Sequence, residues 1–125
     1  MAWTDWQLLA DRNHWHDVTL AEGPACYQLG LAAPTGIIDA IVYAGWSDNV
    51  RERLAEHGRR ETELNDLIDT YVALGWHVYY RAWNCDSTQA ARDLSTTLRR
   101  NFEFLWSRPA PALRNYELAA GQLAM

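Results

Sequence analysis

The sequence predicts a small α/β (α+β) domain: a three-stranded mixed β-sheet flanked by helices, in the order α-ββ-α-α-β-α. Three observations carry that prediction. Two apolar runs, residues 25–31 and 37–43, flank a turn cluster containing Pro34 and Gly36, the pattern of an antiparallel hairpin. Residues 76–83 alternate Trp76, Val78, Tyr80 and Ala82 against His77, Tyr79, Arg81 and Trp83, the period of a strand. The intervening and following stretches place apolar residues at helical spacing.

Residues 1–14 read as a helix. Thr4 and Gln7 have capping-box spacing, and Trp3, Trp6, Leu9 and Ala10 form an apolar stripe. With the residues up to 21, this makes a helical extension ahead of a domain at 22–116. His14-Trp15-His16-Asp17 breaks the stripe; two histidines without a third ligand nearby read as a loop.

After the hairpin, Tyr43-Ala-Gly-Trp-Ser-Asp-Asn-Val-Arg-Glu-Arg-Leu-Ala-Glu-His57 reads as a strand end, a turn at Gly45, and a helix over about 49–57. Ser47 and Asp48 are N-cap types, and Gly58 is a C′ type. Arg53 and His57, four apart, share a helix face. Leu64, Leu67, Ile68, Tyr71 and Leu74 predict a further helix ended by Gly75. Asp86 with Gln89 opens a longer one to about Trp106, buried along Ala91, Leu94, Leu98, Phe102 and Leu105 and stopped by Pro109 and Pro111. Residues 117–125 are an apolar tail, a surface for the domain itself or for a homodimer.

A chain of 125 residues with 49% hydrophobic and 22% charged residues is one soluble-type domain with room for a single core. Neither a membrane-length apolar run nor a signal pattern is visible, so the default address is cytoplasmic. Cys26 and Cys85 lack motif spacing and read as reduced thiols. The net charge of −5 gives no electrostatic footprint of a nucleic-acid binder. Every basic residue is arginine, including the short pairs Arg59-Arg60 and Arg99-Arg100, each short enough to be a solvated face.

Taken together, Ala25-Cys26-Tyr27, Tyr43-Ala44-Gly45, and the run Ser47, Asn49, Arg53, Leu54 and His57 resemble the GIY-YIG nuclease superfamily. Ala91, Leu94, Leu98 and Phe102 fall in register with its last helix, and Asn115 with its closing Asn. The resemblance covers residues 22–116. It implies that Tyr27 activates water with Tyr43 beside it, that Arg53 holds phosphate, and that His57 orients the pair or moves a proton. Ser47, Ser95 and Asn115 complete the expected binding set. The chain departs from the family where the metal-binding Glu should stand: that position is Ser95, a poor neutral ligand for Mg²⁺. Asp93 lies about 200° away around the helix, and Glu103 stands two turns on. Mg²⁺ is expected only if a substitute carboxylate exists, so no cofactor is assigned. The resemblance therefore implies an endonuclease-like protein whose metal-dependent phosphodiester hydrolysis is altered or lost. Two alternatives stand beside it: the pocket reused for metal-free acid–base chemistry on a small anionic molecule, and a non-catalytic binding protein.

Overall fold

The structure, a computed structural model, describes residues 2–12 and 15–107. Four strands form one sheet in the order β1-β4-β2-β3, with β1 at Gln7–Ala10, β2 at Ala25–Ala32, β3 at Ile38–Ser47 and β4 at His77–Asn84. Every pairing is antiparallel, so the sheet is neither three-stranded nor mixed. Three helices accompany it: α1 at Val50–Gly58, α2 at Asn65–Ala73 and α3 at Thr88–Asn101, followed by a 3₁₀ turn at Leu105–Ser107.

The expected N-terminal helix is extended chain. Thr4 donates its N–H to the Ala82 carbonyl, and its hydroxyl oxygen accepts from the Ala82 N–H, so Thr4 pairs with β4 instead of capping a helix. β1 then continues the pairing along β4. The apolar stripe that suggested a helix packs on the sheet. Trp3 stacks edge-on against Trp83 at 5.6 Å, and the Trp6 ring lies over Gly30, where a Cβ would come within 3.1 Å of it. Covering an otherwise open edge of β4 outweighs local helix propensity. This segment is thus an integral strand of the sheet and not a helical extension.

β2 is central and buried along its whole length. Its alternation divides the molecule. Tyr27, Leu29 and Leu31 join the core with Val50 and Leu54 of α1 and Leu64, Ile68 and Val72 around α2. Gln28 faces the opposite side, where Arg81 and Leu98 of α3 line a common hollow with it. Val42 is an extra residue of β3 between the Leu29–Tyr43 and Gly30–Ile41 pairs, and this bulge buries Val42 and Tyr43 together.

Four helix ends differ from the expected ones. Asn49 caps α1, its side chain accepting from the Glu52 N–H, while Ser47 accepts from the Asn49 N–H one step earlier. At the other end Gly58 is still helical, and Arg60 is the C′ residue, at φ 62. Arg60 N–H reaches His57 O and Glu61 N–H reaches Glu56 O, the paired bonds of a Schellman close. Gly58 is small for another reason: a Cβ there would lie 3.2 Å from Leu9 Cδ1 of β1. On α3 the cap is Ser87, accepting from Ala90 N–H, and not Asp86. That helix stops at Asn101 because the chain turns extended at Phe102. Phe102 is therefore 60% exposed, contrary to its expected burial, while Phe104 and Trp106 go inward, Trp106 against Tyr71.

Candidate functional site

The register of the hairpin decides where the tyrosines point. Tyr27 pairs with Gly45 and Leu29 with Tyr43, which sets both phenols on the face covered by α1. Their ring centroids are 6.1 Å apart, and each lies about 6 Å from the His57 ring. Gly45 is not a turn residue, since it sits inside β3. It is glycine because a Cβ would stand 2.7 Å from the Tyr27 hydroxyl and 2.9 Å from the Tyr43 ring. The absence of a side chain lets Tyr27 lie against the backbone of the neighbouring strand.

From α1, His57 is fully buried and bonded at both nitrogens. Nε2 is 2.8 Å from the Tyr27 hydroxyl and Nδ1 is 2.7 Å from the Thr62 hydroxyl. Burial, aided by the nearby Arg53 charge and opposed by Glu63, pushes the imidazole down to about 4, so it is neutral at physiological pH. Burial first, then Tyr43, raises the Tyr27 phenol, and Arg53 pulls the other way. The Arg53 charge beside the phenol oxygen selects a proton order, here assigned from the network. Tyr27 O–H donates to His57 Nε2, and His57 Nδ1–H donates to Thr62, which also accepts from Leu64 N–H. In this order Tyr27 can take up a proton from a ligand while handing its own to His57.

Arg53 is held by both oxygens of Glu63, at 2.8 and 3.0 Å. Partial burial works against the Glu63 carboxylate, but its own backbone N–H and the Arg53 bonds prevail and lower its pKa. A second arginine arrives from the far side. Arg99 of α3 reaches over the β3 edge, donating Nε–H to Ala44 O at 2.8 Å and Nη2–H to the Tyr43 hydroxyl at 3.0 Å. Tyr27, Tyr43, Gly45, Trp46, Ser47, Asp48, Arg53 and Arg99 enclose a hollow of about 440 Å³. Among the described residues Arg99 makes no ion pair with a carboxylate, so its charge is directed at this space.

The structure therefore brings Tyr27, Tyr43, Arg53, His57 and Ser47 together. Ser95 is elsewhere: it is buried to 1% and is not among the residues lining the hollow. Asp93 is exposed and accepts from Gln89 at 2.8 Å. Glu103 lines a separate hollow with Trp3, Gln28 and Arg81. Asn115 lies outside the described residues, as does the apolar tail. The donor set does not fit Mg²⁺. No group of three or more His, Cys, Asp or Glu gathers among the described residues, and Asp48 shares the hollow with two guanidiniums, which suit an anion rather than another cation.

Sequence reasoning missed Arg99, Trp46 and the supports Thr62 and Glu63. Arg99 carried a signal: it stands four residues beyond Ser95, one turn along the same helix. As a member of an Arg-Arg pair it looked like solvated surface. Cys26 is inert, since burial and then the neighbouring Cys85 push its thiol up to about 12. Among the described residues no helix is long and apolar enough to cross a membrane. Comparison with protein families, with characterised proteins and with solved structures finds no match to this chain.

Proposed function

We propose that this hollow is an anion site of GIY-YIG-like type that grips a phosphoester, and that the family's Mg²⁺-dependent phosphodiester hydrolysis is altered or lost in it. One observation carries the reading: Arg53 from α1 and Arg99 from α3 face one hollow beside the Tyr27 and Tyr43 hydroxyls. Two cations from different elements, next to neutral donors, fit the spread charge of a phosphoryl group better than either alone.

Calorimetric titration of the full chain with a phosphomonoester, in EDTA, tests this. Binding should survive without divalent metal, and Arg53→Ala or Arg99→Ala should each weaken it about 10- to 100-fold, the range of a lost charged hydrogen bond. Arg99→Lys should not restore it, because one ammonium cannot serve Ala44 O, Tyr43 and a ligand together. An absence of phosphoester binding at low salt defeats the anion reading. Mg²⁺-dependent plasmid nicking that disappears in Tyr27→Phe defeats the claim that the metal chemistry is altered or lost.

A second reading is favoured by the neutral His57 behind Tyr27 and by a cavity of small-ligand size: metal-free acid–base chemistry on a small anionic molecule. The net charge of −5 also suits a small anion better than a polyanion. Competition separates the two readings. A nucleic-acid role requires duplex or single-stranded DNA to displace a bound phosphomonoester at low salt.

A further inference from the structure

We infer that the hollow on the α3 side of the sheet binds a small monocarboxylic acid with an apolar body, its carboxylate held by Arg81 and Gln28. This site is independent of the anion reading above, because Tyr27 and Tyr43 face the other side of the sheet. Gln28 and Arg81 are register partners on β2 and β4, and Ile41 of β3 stands opposite Gly30 on the same face. With Leu98, Phe102 and Phe104 they line a hollow of about 450 Å³, a size that suits a small molecule.

Two donors of this hollow are unused. Arg81 sits over the Trp3 and Trp6 rings, 4.6 Å from each centroid, and its Nε–H donates to Gln28 Oε1 at 2.8 Å. That bond turns the Gln28 oxygen toward the guanidinium. The Gln28 Nε2 amide and the Arg81 Nη groups then have no acceptor among the described residues. Gln28 is only 4% exposed, so an idle amide there carries a desolvation cost. Burial lowers the Arg81 pKa, and no neighbouring carboxylate offsets it. A carboxylate is planar, accepts at both oxygens and supplies the charge that Arg81 lacks. Glu103, itself exposed, also lines this hollow, so a single negative charge suits it better than a phosphate dianion. The rest of the wall is apolar: Ile41, Leu98, Phe104, and Phe102 at 60% exposure. A ligand body laid across them takes the Phe102 ring out of water.

The experiment is calorimetric titration of the full chain with 3-phenylpropionate and with 3-phenylpropan-1-ol, which has the same body without the charge. The acid should bind about 10- to 100-fold tighter than the alcohol, the range of hydrogen bonds to a charged group. Arg81→Gln should abolish that preference. Arg81 is packed against two indoles, so Phe102→Ala, at an exposed residue, supplies a variant that leaves the core intact; it should weaken acid and alcohol alike. In the unaltered protein the Gln28 side-chain amide signals should shift in NMR when the acid is added, and stay in place with the alcohol. A saturating phosphomonoester should leave the acid bound, because the two sites lie on opposite faces of the sheet. Equal affinity for acid and alcohol, with unmoved Gln28 signals, overturns the carboxylate seat. Displacement of the acid by a phosphomonoester assigns it to the Arg53 hollow and overturns the inference as well. So does an absence of acid binding at millimolar concentration.

Discussion

The Tyr27 hydroxyl stands 2.8 Å from Nε2 of a histidine, His57, that has no exposed surface. A neutral imidazole so enclosed links the site to the stability of the fold. Its pKa is about 4 in the folded protein against about 6.5 unfolded, so between these values the unfolded chain binds the extra proton. Stability is then full above pH 6.5 and falls as pH drops toward 4, by up to about 3 kcal/mol at roughly 1.4 kcal/mol per unit. Urea denaturation at pH 7.5, 6 and 5 should show this decline. His57→Gln should flatten it, and an imidazole titrating near 6.5 in the folded protein would refute it.

Tyr27 and Gly45 should behave as one unit. Gly45→Ala places a methyl 2.7 Å from the Tyr27 ring and hydroxyl, an overpacking cost of about 1–3 kcal/mol. Combined with Tyr27→Ala, which empties that space, the loss should be smaller than the sum of the two single changes. Additive losses in a double-mutant cycle of denaturation free energies would show that the close contact is unimportant.

Ser95→Glu asks whether the last helix can return a carboxylate to the hollow. Ser95 is 1% exposed and does not line the hollow, so the new charge would be buried without a partner. The variant should lose several kcal/mol of stability, an amount of the size that follows an unpaired buried charge. It should gain no Mg²⁺ affinity. Metal-dependent stabilisation in a thermal melt would contradict this placement.

Arg60 occupies the left-handed C′ position where glycine is usual. Arg60→Gly removes a backbone cost of about 1–2 kcal/mol and forfeits an ion pair to the exposed Asp69 that contributes about 0–1 kcal/mol. Arg60→Gly also removes the bond that Arg60 donates to the Gly58 carbonyl, about 0.5–1.5 kcal/mol, so the net change expected in chemical denaturation is within about 1 kcal/mol of zero. Asp69→Asn, measured alongside, isolates the ion-pair part. A loss on Arg60→Gly exceeding that of Asp69→Asn by more than the Gly58 bond contributes would mean the left-handed backbone carries no strain here.

The hairpin, the helix carrying Arg53 and His57, and the strand at 77–84 were legible because each is set by near neighbours. β-branched runs, a turn cluster and a 3.6-residue period specify local geometry whatever the rest of the chain does. Tyr43, Arg53 and His57 were legible near one strand end for the same reason, whereas Tyr27 joined them only through the family resemblance, because its face depends on the hairpin register. Trp3, Trp6 and Leu9 show where such reasoning ends. Their spacing suits a helix, but the free edge of β4 and the bare surface at Gly30 offer backbone pairing and ring contact that no local helix provides.

Gly45 and Gly58 were visible as glycines, but only packing shows why. Each marks a close approach by a residue distant in sequence, Tyr27 and Leu9, rather than a turn or a cap. Arg99 is the sharpest case. Its sequence neighbourhood describes a solvated arginine pair, and the tertiary fold carries it across the β3 edge onto Tyr43. The sequence by itself determined β2, β3, β4, the three helices and the residue types near the tyrosines, but not the strand β1. Only the tertiary structure decided that α3 contributes a guanidinium to the hollow while Ser95 stays buried outside it. Helix period fixes which residues share a face, but the orientation of that face depends on a core assembled from the whole chain.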